Sequence, residues 1–480
     1  MINTEKRHLY TLIVVIFALF GYREWITQST PINLFFDEAY YYGWSQSLDW
    51  GYYSKPPMVA WVIRITTDLL GDSEWAIKIG APLLYSFTAL IIYSLGKQLH
   101  SVKAGFYAAL LFISMPLVSF NSLFITTDAP LLFFWASALW VFLKAQQSNG
   151  WHWWILAGLL GGLGLLSKYT FILFPTGFLL YALLSEEGKK LLANFRFWVA
   201  CTLAITILTP NLWWNYNHDF ISFQHTAEIS EQGDSQFSLS RFIEFLLMQF
   251  LVFGPITMIG LLIGIKKERN EKTKLLWALF IPIFAVISFQ ALSAKANINW
   301  GAPAYITGSL IAAIVLAKFQ LKKTLITALS VNLVMMIGFY HYEKIQSWMG
   351  IEPNTNNTPF TRIQGWAEVS DKLAPTLNQY QDIEIASDSR KVAAYIGYYR
   401  EPKNLNARAL NLNGHIESQY ELLYGLESGD KNSYLFVSEN LKAKQLSKYF
   451  ESVTDLTTQV HVVTEDRVRE VHVTLVTGVK

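Results

Sequence analysis

Long apolar runs alternate with short polar connections along most of the chain, and this pattern ends near residue 342. Each run approaches the roughly 20 residues that a helix needs to cross a bilayer. Counting the runs predicts about eleven membrane-spanning helices. Their approximate cores are 8–27, 77–97, 103–121, 130–146, 152–167, 170–185, 196–213, 243–265, 275–292, 300–317 and 324–341. The pattern therefore predicts a polytopic α-helical membrane domain over residues 1–341.

A second domain is predicted after the last apolar run, where Asn, Asp, Glu, Gln and Ser become frequent. The NTNNTP stretch is typical of a linker, which we place at 342–358. One helical pattern and several short alternating stretches follow, and the last two stretches suggest a hairpin turning at Asp466-Arg467. We predict a small α/β domain over 359–480.

Lys and Arg concentrate in alternate connections, most strongly in the KKERNEKTK run at 266–274. Because cytoplasmic connections carry such an excess, the N-terminus and this run are predicted to be cytoplasmic. The opposite face then holds the C-terminal domain and five polar segments, namely 28–76, 124–130, 167–170, 214–242 and 293–303. Polar residues gathered on one membrane face predict a functional site there.

Composition supports a membrane protein and narrows its partners. The 480 residues are 52% hydrophobic and 15% charged, against roughly 25% charged residues in a soluble domain. The net charge of +2 predicts no nucleic-acid partner. The single cysteine, Cys201, excludes a disulfide within the chain.

The first outer loop, 28–76, contains the densest candidate chemistry, in the stretch FFDEAYYYGWSQSLDWGYYSKPP at 35–57. Its first half predicts a short helix with Asp37 and Glu38 in the first turn, and Pro57 suits the start of a second helix. Adjacent side chains point different ways on a helix, so one acid would act as a general base while the other supports it. The alternative is that both acids only cap the helix.

Further charged residues lie in the other outer turns. Asp128 is either a helix cap or, with Asp37, an acid able to hold a divalent cation. Lys55, Lys168 and Lys295 stand beside turn residues on a face poor in positive charge. Each could lie at a helix end with its amine at the membrane surface, but together they predict binding of an anion, and phosphate is the natural one there.

The segment 211–229, NLWWNYNHDFISFQHTAEI, combines aromatic rings with His218 and His225. We interpret it as an outer loop that contacts a carbohydrate or a lipid headgroup. The alternative is an aromatic belt at the membrane interface. The histidines lack a tight metal-binding spacing, so no zinc site is predicted.

Six motifs in order resemble one family. They are FFDEAYYYGWSQ, YYSKPPMVAW, TTDAPLLFFW, GGLGLLSKYT, PNLWWNYNHDFISFQ and AKANINWGAPAY, over about residues 35–305. The chain resembles bacterial membrane glycosyltransferases of the GT-C fold, in the group that includes protein O-mannosyltransferases and the aminoarabinose transferase of lipid A. The triple tyrosine at 40–42 departs from the aminoarabinose transferases, so the sugar stays open.

The resemblance implies sugar transfer from a polyprenyl-phosphate donor to lipid A, another glycan or a protein. It places this reaction at the periplasmic face of the bacterial inner membrane, requires no cofactor and leaves a divalent cation optional. Asp37 matches the catalytic acid, with Glu38 beside it, and Lys55 and Lys168 match the contacts to the lipid phosphate. The candidate side chains for binding lipid phosphate and sugar are Tyr52, Tyr53, Lys55, Lys168, Tyr169, His218, His225, Lys295 and Trp300.

The competing hypothesis is a transporter or flippase for an anionic lipid or a lipid-linked sugar. Such proteins place ionisable groups near the bilayer midplane and often contain internal repeats. Here the candidate groups lie towards one face and no repeat is evident, so the pattern favours an enzyme.

Overall fold

The computed structural model describes residues 2–30, 32–148, 150–231, 237–267 and 270–480. The α-helices are α1 (Ile2–Ser29), α2 (Phe36–Gln46), α3 (Met58–Leu70), α4 (Glu74–Lys78), α5 (Gly80–Leu99), α6 (Val102–Ser114), α7 (Pro116–Asn121), α8 (Asp128–Ser148), α9 (Trp151–Leu165), α10 (Leu173–Leu184), α11 (Glu186–Ala193), α12 (Phe195–Asn217), α13 (Ile221–Glu231), α14 (Leu239–Phe253), α15 (Pro255–Lys267), α16 (Glu271–Ser293), α17 (Ala304–Lys318), α18 (Lys322–Tyr340), α19 (Tyr342–Trp348), α20 (Trp366–Leu377), α21 (Arg390–Tyr399), α22 (Gln419–Tyr424) and α23 (Ala443–Leu446). Short 3-10 helices cover Tyr169–Ile172, Ile298–Gly301 and Asn378–Tyr380, and the strands are β1 (Ile385–Ser387), β2 (Arg408–Ala409), β3 (Ser433–Ser438), β4 (Phe450–Thr464) and β5 (Arg467–Val479).

The chain divides into two compact units. The residues that make up each unit differ from the domain boundaries predicted above. The first, the membrane unit, comprises Met1–Ile26, Lys55–Val59 and Lys78–Tyr340. The second, the sheet unit, comprises Thr27–Ser54, Ala60–Ile77 and His341–Lys480. Most of the first outer loop thus belongs with the C-terminal residues.

The membrane unit consists of the predicted apolar helices. Among the described residues, six helices are long and apolar enough to cross a membrane, or up to seven if α14 and α15 form one span. Those two helices meet at 109°, where Gly254 has a φ of +92° and Pro255 starts the next helix. The other predicted cores coincide with shorter helices, so the number of spans stays a prediction. The prediction of a polytopic helical fold is confirmed.

Glycines allow helices of the membrane unit to approach closely. A Cβ on Gly105 of α6 would lie 2.2 Å from the Tyr93 carbonyl oxygen of α5, and one on Gly96 would lie 2.5 Å from the Cα of Gly105. Similarly, a Cβ on Gly158 of α9 would meet the Ala200 carbonyl oxygen of α12 at 2.7 Å. Small residues let helices pack where lipid provides little hydrophobic driving force.

The sheet unit contains a five-stranded sheet in the order β2-β1-β3-β5-β4. Strand β1 pairs in parallel with β2 and β3, whereas β5 runs antiparallel to β3 and β4. The predicted hairpin is present, because β4 and β5 are joined by a turn at 465–466. The small α/β C-terminal domain is confirmed, and both helices predicted in the first outer loop form as α2 and α3.

The glycine contact between α5 and α6 generates a prediction. Gly105→Ala should destabilise the protein by about 1–3 kcal/mol, because the added methyl group overlaps backbone atoms that cannot rotate away. Thermal unfolding in detergent micelles would measure the loss. Gly21→Ala on α1 is the matched control, since its Cβ meets nothing within 4 Å. Equal midpoints for both variants would contradict the close contact.

Candidate active site

The centre of the membrane unit's polar cluster is the carboxylate of Asp128, the first residue of α8. Its Oδ1 accepts a hydrogen bond from Lys168 Nζ at 2.7 Å, and its Oδ2 accepts one from Asn299 Nδ2 at 2.6 Å. The side chains of Asp128 and Lys168 are only 3% and 17% exposed. Such a buried ion pair is favourable only with good geometry and further hydrogen bonds, which Asn299 supplies. Three turns that are distant in sequence therefore meet at one carboxylate.

Lys55 reaches this region through its own short segment, Lys55–Val59, which belongs to the membrane unit. The Met58 backbone N–H donates to the Leu166 carbonyl oxygen at 3.1 Å. Leu166 directly precedes the SKYT turn that carries Lys168, and Lys55 is half-buried. The two lysines predicted to contact lipid phosphate thus lie on backbone segments that are hydrogen-bonded to each other.

Tyr169, next to Lys168, is fixed by two asparagines of α12. Its hydroxyl donates to Asn211 Oδ1 at 3.2 Å and accepts from Asn215 Nδ2 at 3.2 Å. Its ring stacks on Phe223 with centroids 4.6 Å apart. These contacts hold the turn that presents Lys168.

The interpretation of 211–229 as an outer loop is wrong, because most of it is helical. Helix α12 continues to Asn217 and α13 begins at Ile221, with Asp219 and Phe220 at positive φ in the tight turn between them. His218 stacks on Trp214 at 4.0 Å and donates to its carbonyl oxygen, while His225 lies 3.6 Å from Glu228. Local i to i+4 and i to i+3 contacts engage both histidines, which the sequence pattern did not reveal.

The remaining predicted residues of the membrane unit lie near Asn299. Trp300 belongs to the same 3-10 helix and is half-buried. The Lys295 side chain is exposed and forms no ion pair within the described parts of the chain. The structure therefore unites Lys168 with Asp128, and it leaves Lys295 at the surface.

An apolar cavity of about 370 Å³ opens in the same unit, among α8, α9, α10 and α12. Its wall includes Phe171 and Ile172, which follow Lys168 by three and four residues. Pro175, Ala204 and Ile205 also line it. Apolar space close to a cation suits a ligand with a charged head and a hydrocarbon chain.

In the sheet unit, Asp37 and Glu38 begin helix α2 and have different environments. Glu38 is fully buried and accepts the Phe35 backbone N–H at 2.8 Å, so it caps the helix. Asp37 is partly exposed. The two adjacent acids thus differ in exposure, and the role of Asp37 as general base stays a prediction.

Tyr52 and Tyr53 are buried within the turn that follows α2. The Tyr52 ring stacks on Trp44 at 4.5 Å, nearly parallel, and its hydroxyl accepts the Asp49 N–H at 3.0 Å. The Tyr53 N–H donates to Gln419 Oε1 at 2.6 Å. These contacts give both tyrosines a structural role, because they hold the turn after α2 in place.

Helix α21 of the C-terminal domain packs against α2. Tyr42 meets Tyr398 edge to face at 5.3 Å, and the Arg390 guanidinium lies 5.5 Å from the Phe36 ring. Burial raises the pKa of Tyr395 well above its ordinary value, and the negative charges of Glu38 and Asp37 raise it further. The Tyr395 hydroxyl therefore stays protonated beside these acids.

A divalent cation at Asp37 or Asp128 stays a prediction. Within the described ranges, no group of three or more His, Cys, Asp or Glu side chains could hold a metal ion. Both oxygens of Asp128 already accept hydrogen bonds from Lys168 and Asn299.

Reasoning from sequence missed four residues with defined contacts, namely Asn211, Asn299, Gln419 and Arg390. Asn299 lies inside the quoted AKANINWGAPAY motif, so its place in a polar turn was the available signal. Gln419 and Arg390 are in the C-terminal domain, where no motif marks them.

Comparison with known proteins identifies the family. A sequence model described as dolichyl-phosphate-mannose-protein mannosyltransferase matches residues 54–214. The lipid A galacturonosyltransferase RgtD of Rhizobium johnstonii (strain DSM 114642 / LMG 32736 / 3841) is 31% identical over 433 residues, covering 89% of this chain and 90% of that protein. This chain belongs to the GT-C membrane glycosyltransferases. The predicted resemblance is confirmed.

Two further similarities were found, one in sequence and one in structure. The undecaprenyl phosphate-alpha-4-amino-4-deoxy-L-arabinose arabinosyl transferase 2 of Proteus mirabilis (strain HI4320) is 25% identical over 273 residues, 52% of this chain and 47% of that one. The crystal structure of ArnT from Cupriavidus metallidurans in the apo state has a TM-score of 0.65 at 13% identity, covering 97% and 98% of the two chains. The structural match supports the fold. Family membership makes the chain an enzyme, and the transporter alternative is set aside.

The ion pair at the centre of the cluster can be tested. Asp128→Ala should destabilise the glycosyltransferase by about 3–5 kcal/mol, because it leaves the mostly buried Lys168 ammonium without its counter-ion. Unfolding in detergent would measure the loss. The double variant with Lys168→Met should recover part of the stability. Strictly additive effects of the two substitutions would contradict the direct pairing.

Proposed function

We propose that this glycosyltransferase moves a galacturonosyl unit from a polyprenyl-phosphate donor to lipid A at the periplasmic face of the bacterial inner membrane. The observation that carries the proposal is the 31% identity to a lipid A galacturonosyltransferase across 90% of its length. The Lys and Arg excess in alternate connections supports the orientation.

The membrane unit supports a polyprenyl-phosphate donor. Phe171 and Ile172, which follow Lys168 closely in the chain, line an apolar cavity of about 370 Å³, and the Lys55 segment is hydrogen-bonded to Leu166 just before Lys168. Cations near the lipid phosphate would stabilise the charge that grows on its oxygens as the glycosidic bond breaks. The ArnT structure from Cupriavidus metallidurans bound to undecaprenyl phosphate has the same fold, with a TM-score of 0.65.

Asp37 is the proposed general base. An acceptor hydroxyl oxygen attacks the anomeric carbon while the bond from that carbon to the phosphate oxygen breaks, and the configuration inverts. The hydroxyl proton passes to the Asp37 carboxylate, and polyprenyl phosphate leaves as the anion. Phosphate is already a good leaving group, so no general acid is required. Glu38, which caps α2 through the Phe35 N–H, fixes the helix that carries the base.

Mass spectrometry of lipid A tests the sugar and the acceptor together. A strain lacking the gene, complemented with the wild-type gene, should regain one uronic acid increment on lipid A. If a different sugar increment returns, or the increment is on a protein or another glycan, the galacturonosyl transfer to lipid A is wrong.

The role of Asp37 has its own test. Asp37→Asn should lower the transfer rate by about a hundredfold to ten-thousandfold, because the amide cannot accept the hydroxyl proton. Binding of the donor should be unchanged, since the lysines are intact. Asp68→Asn is the matched control, because Asp68 is an exposed acid of the same unit paired with Arg64. Transfer and free polyprenyl phosphate are measured with purified enzyme; wild-type rates in the Asp37 variant would make that residue a helix cap only.

A further inference from the structure

Arg390 is a cation placed beside the helix that carries Asp37. It is the first residue of α21, and its guanidinium carbon lies 5.5 Å from the centre of the Phe36 ring. Phe36 directly precedes Asp37 and is the first residue of α2. The cation therefore lies against the residue that directly precedes the proposed base.

Two acids lie near Arg390, one along the chain and one in space. Asp388 interacts with Ser438 and Asn440, and the carboxylate of Glu421 accepts the Glu417 N–H. Burial raises the pKa of Glu421, and the positive charge of Arg390 partly offsets that rise. The neighbouring Lys391 pairs with Glu439. Within the described ranges of the chain, Arg390 forms no ion pair and no hydrogen bond of its side chain.

This placement is unusual for a half-buried arginine. Charged side chains that are withdrawn from water are normally paired, because desolvation is costly. The other arginines withdrawn into this unit follow that rule, since Arg469 and Arg400 donate hydrogen bonds to backbone carbonyl oxygens. Arg390 keeps all its donors available while its guanidinium rests against an aromatic ring.

We propose that Arg390 recognises an anionic group of the substrate, so that it selects a charged sugar or a phosphorylated acceptor at this site. A guanidinium donates two parallel hydrogen bonds to a carboxylate or to a phosphate, which makes both groups its natural partners. The carboxylate would belong to a uronosyl donor and the phosphate to the lipid acceptor. The inference rests on the proposed function, because the galacturonosyl unit of the proposed donor carries such a carboxylate.

The test compares charged and neutral substrates with purified full-length enzyme. The donor arm uses polyprenyl-phosphate galacturonate and polyprenyl-phosphate galactose. The acceptor arm uses lipid A with its phosphates and the same lipid after phosphatase treatment. Arg390→Gln should raise KM for one charged substrate by about tenfold to a hundredfold, the loss expected for hydrogen bonds to a charged group. It should leave KM for the matching neutral substrate unchanged.

Two variants sharpen this test. Arg390→Lys keeps the positive charge but lacks the planar set of N–H donors. It should therefore retain part of the preference for the charged substrate that Arg390→Gln loses. Arg362→Gln is the matched control, because Arg362 is an exposed arginine of the same unit. It should behave as wild type in both arms.

The outcomes separate the two ideas. If KM rises only for polyprenyl-phosphate galacturonate, Arg390 binds the sugar carboxylate. If KM rises only for phosphorylated lipid A, Arg390 binds the acceptor phosphate. Unchanged KM values, or equal losses with charged and neutral substrates, overturn the inference and leave only the contact with Phe36. If the wild type uses galactose and rejects galacturonate, the proposed sugar fails, while the acceptor arm still decides the role of Arg390.

Discussion

A carboxylate withdrawn from water persists only where cations and hydrogen-bond donors satisfy it, and Asp128 meets this condition with Lys168 and Asn299. Asp128 begins α8, Lys168 directly precedes the 3-10 helix Tyr169–Ile172, and Asn299 lies within the 3-10 helix Ile298–Gly301. Their hydrogen bonds therefore fix these segments relative to one another. The turn that presents Lys168 is held further by Tyr169 and its asparagine partners on α12. In the proposed function a rigid cation is useful at the leaving phosphate, because no reorganisation is needed when charge develops.

The sheet unit shows why the first outer loop needs the C-terminal domain. The aromatic residues that follow Asp37 are buried, and several of their polar groups find partners on that domain. Gln419 accepts the Tyr53 N–H and donates its own N–H to the Tyr40 hydroxyl. The Tyr399 hydroxyl donates to Glu74 at 2.6 Å. The C-terminal domain thus orders the helix that carries the acid.

The family match and the structural match differ in what they determine. A TM-score of 0.65 at 13% identity shows that one arrangement of helices and sheet tolerates almost complete replacement of side chains. Sugar and acceptor preference must then depend on a few residues at the site, since the fold itself is shared. Arg390 has the chemistry for such a preference, because its guanidinium lies against Phe36, the residue before Asp37, in a part of the chain without recognisable motifs.

The sequence by itself determined the helices, the C-terminal α/β domain, the family and the candidate acid at Asp37. Apolar runs near the length of a bilayer crossing and short motifs in fixed order are local signals, so they survive without coordinates. Only the tertiary structure decided that Lys168 pairs with Asp128, that Asn299 completes the pair and that Arg390 adjoins Phe36. It also turned the expected loop at 211–229 into two helices joined at Asp219 and Phe220, and it grouped the first outer loop with the C-terminal domain. These features depend on contacts between residues far apart in the chain, which hydrophobic periodicity does not encode.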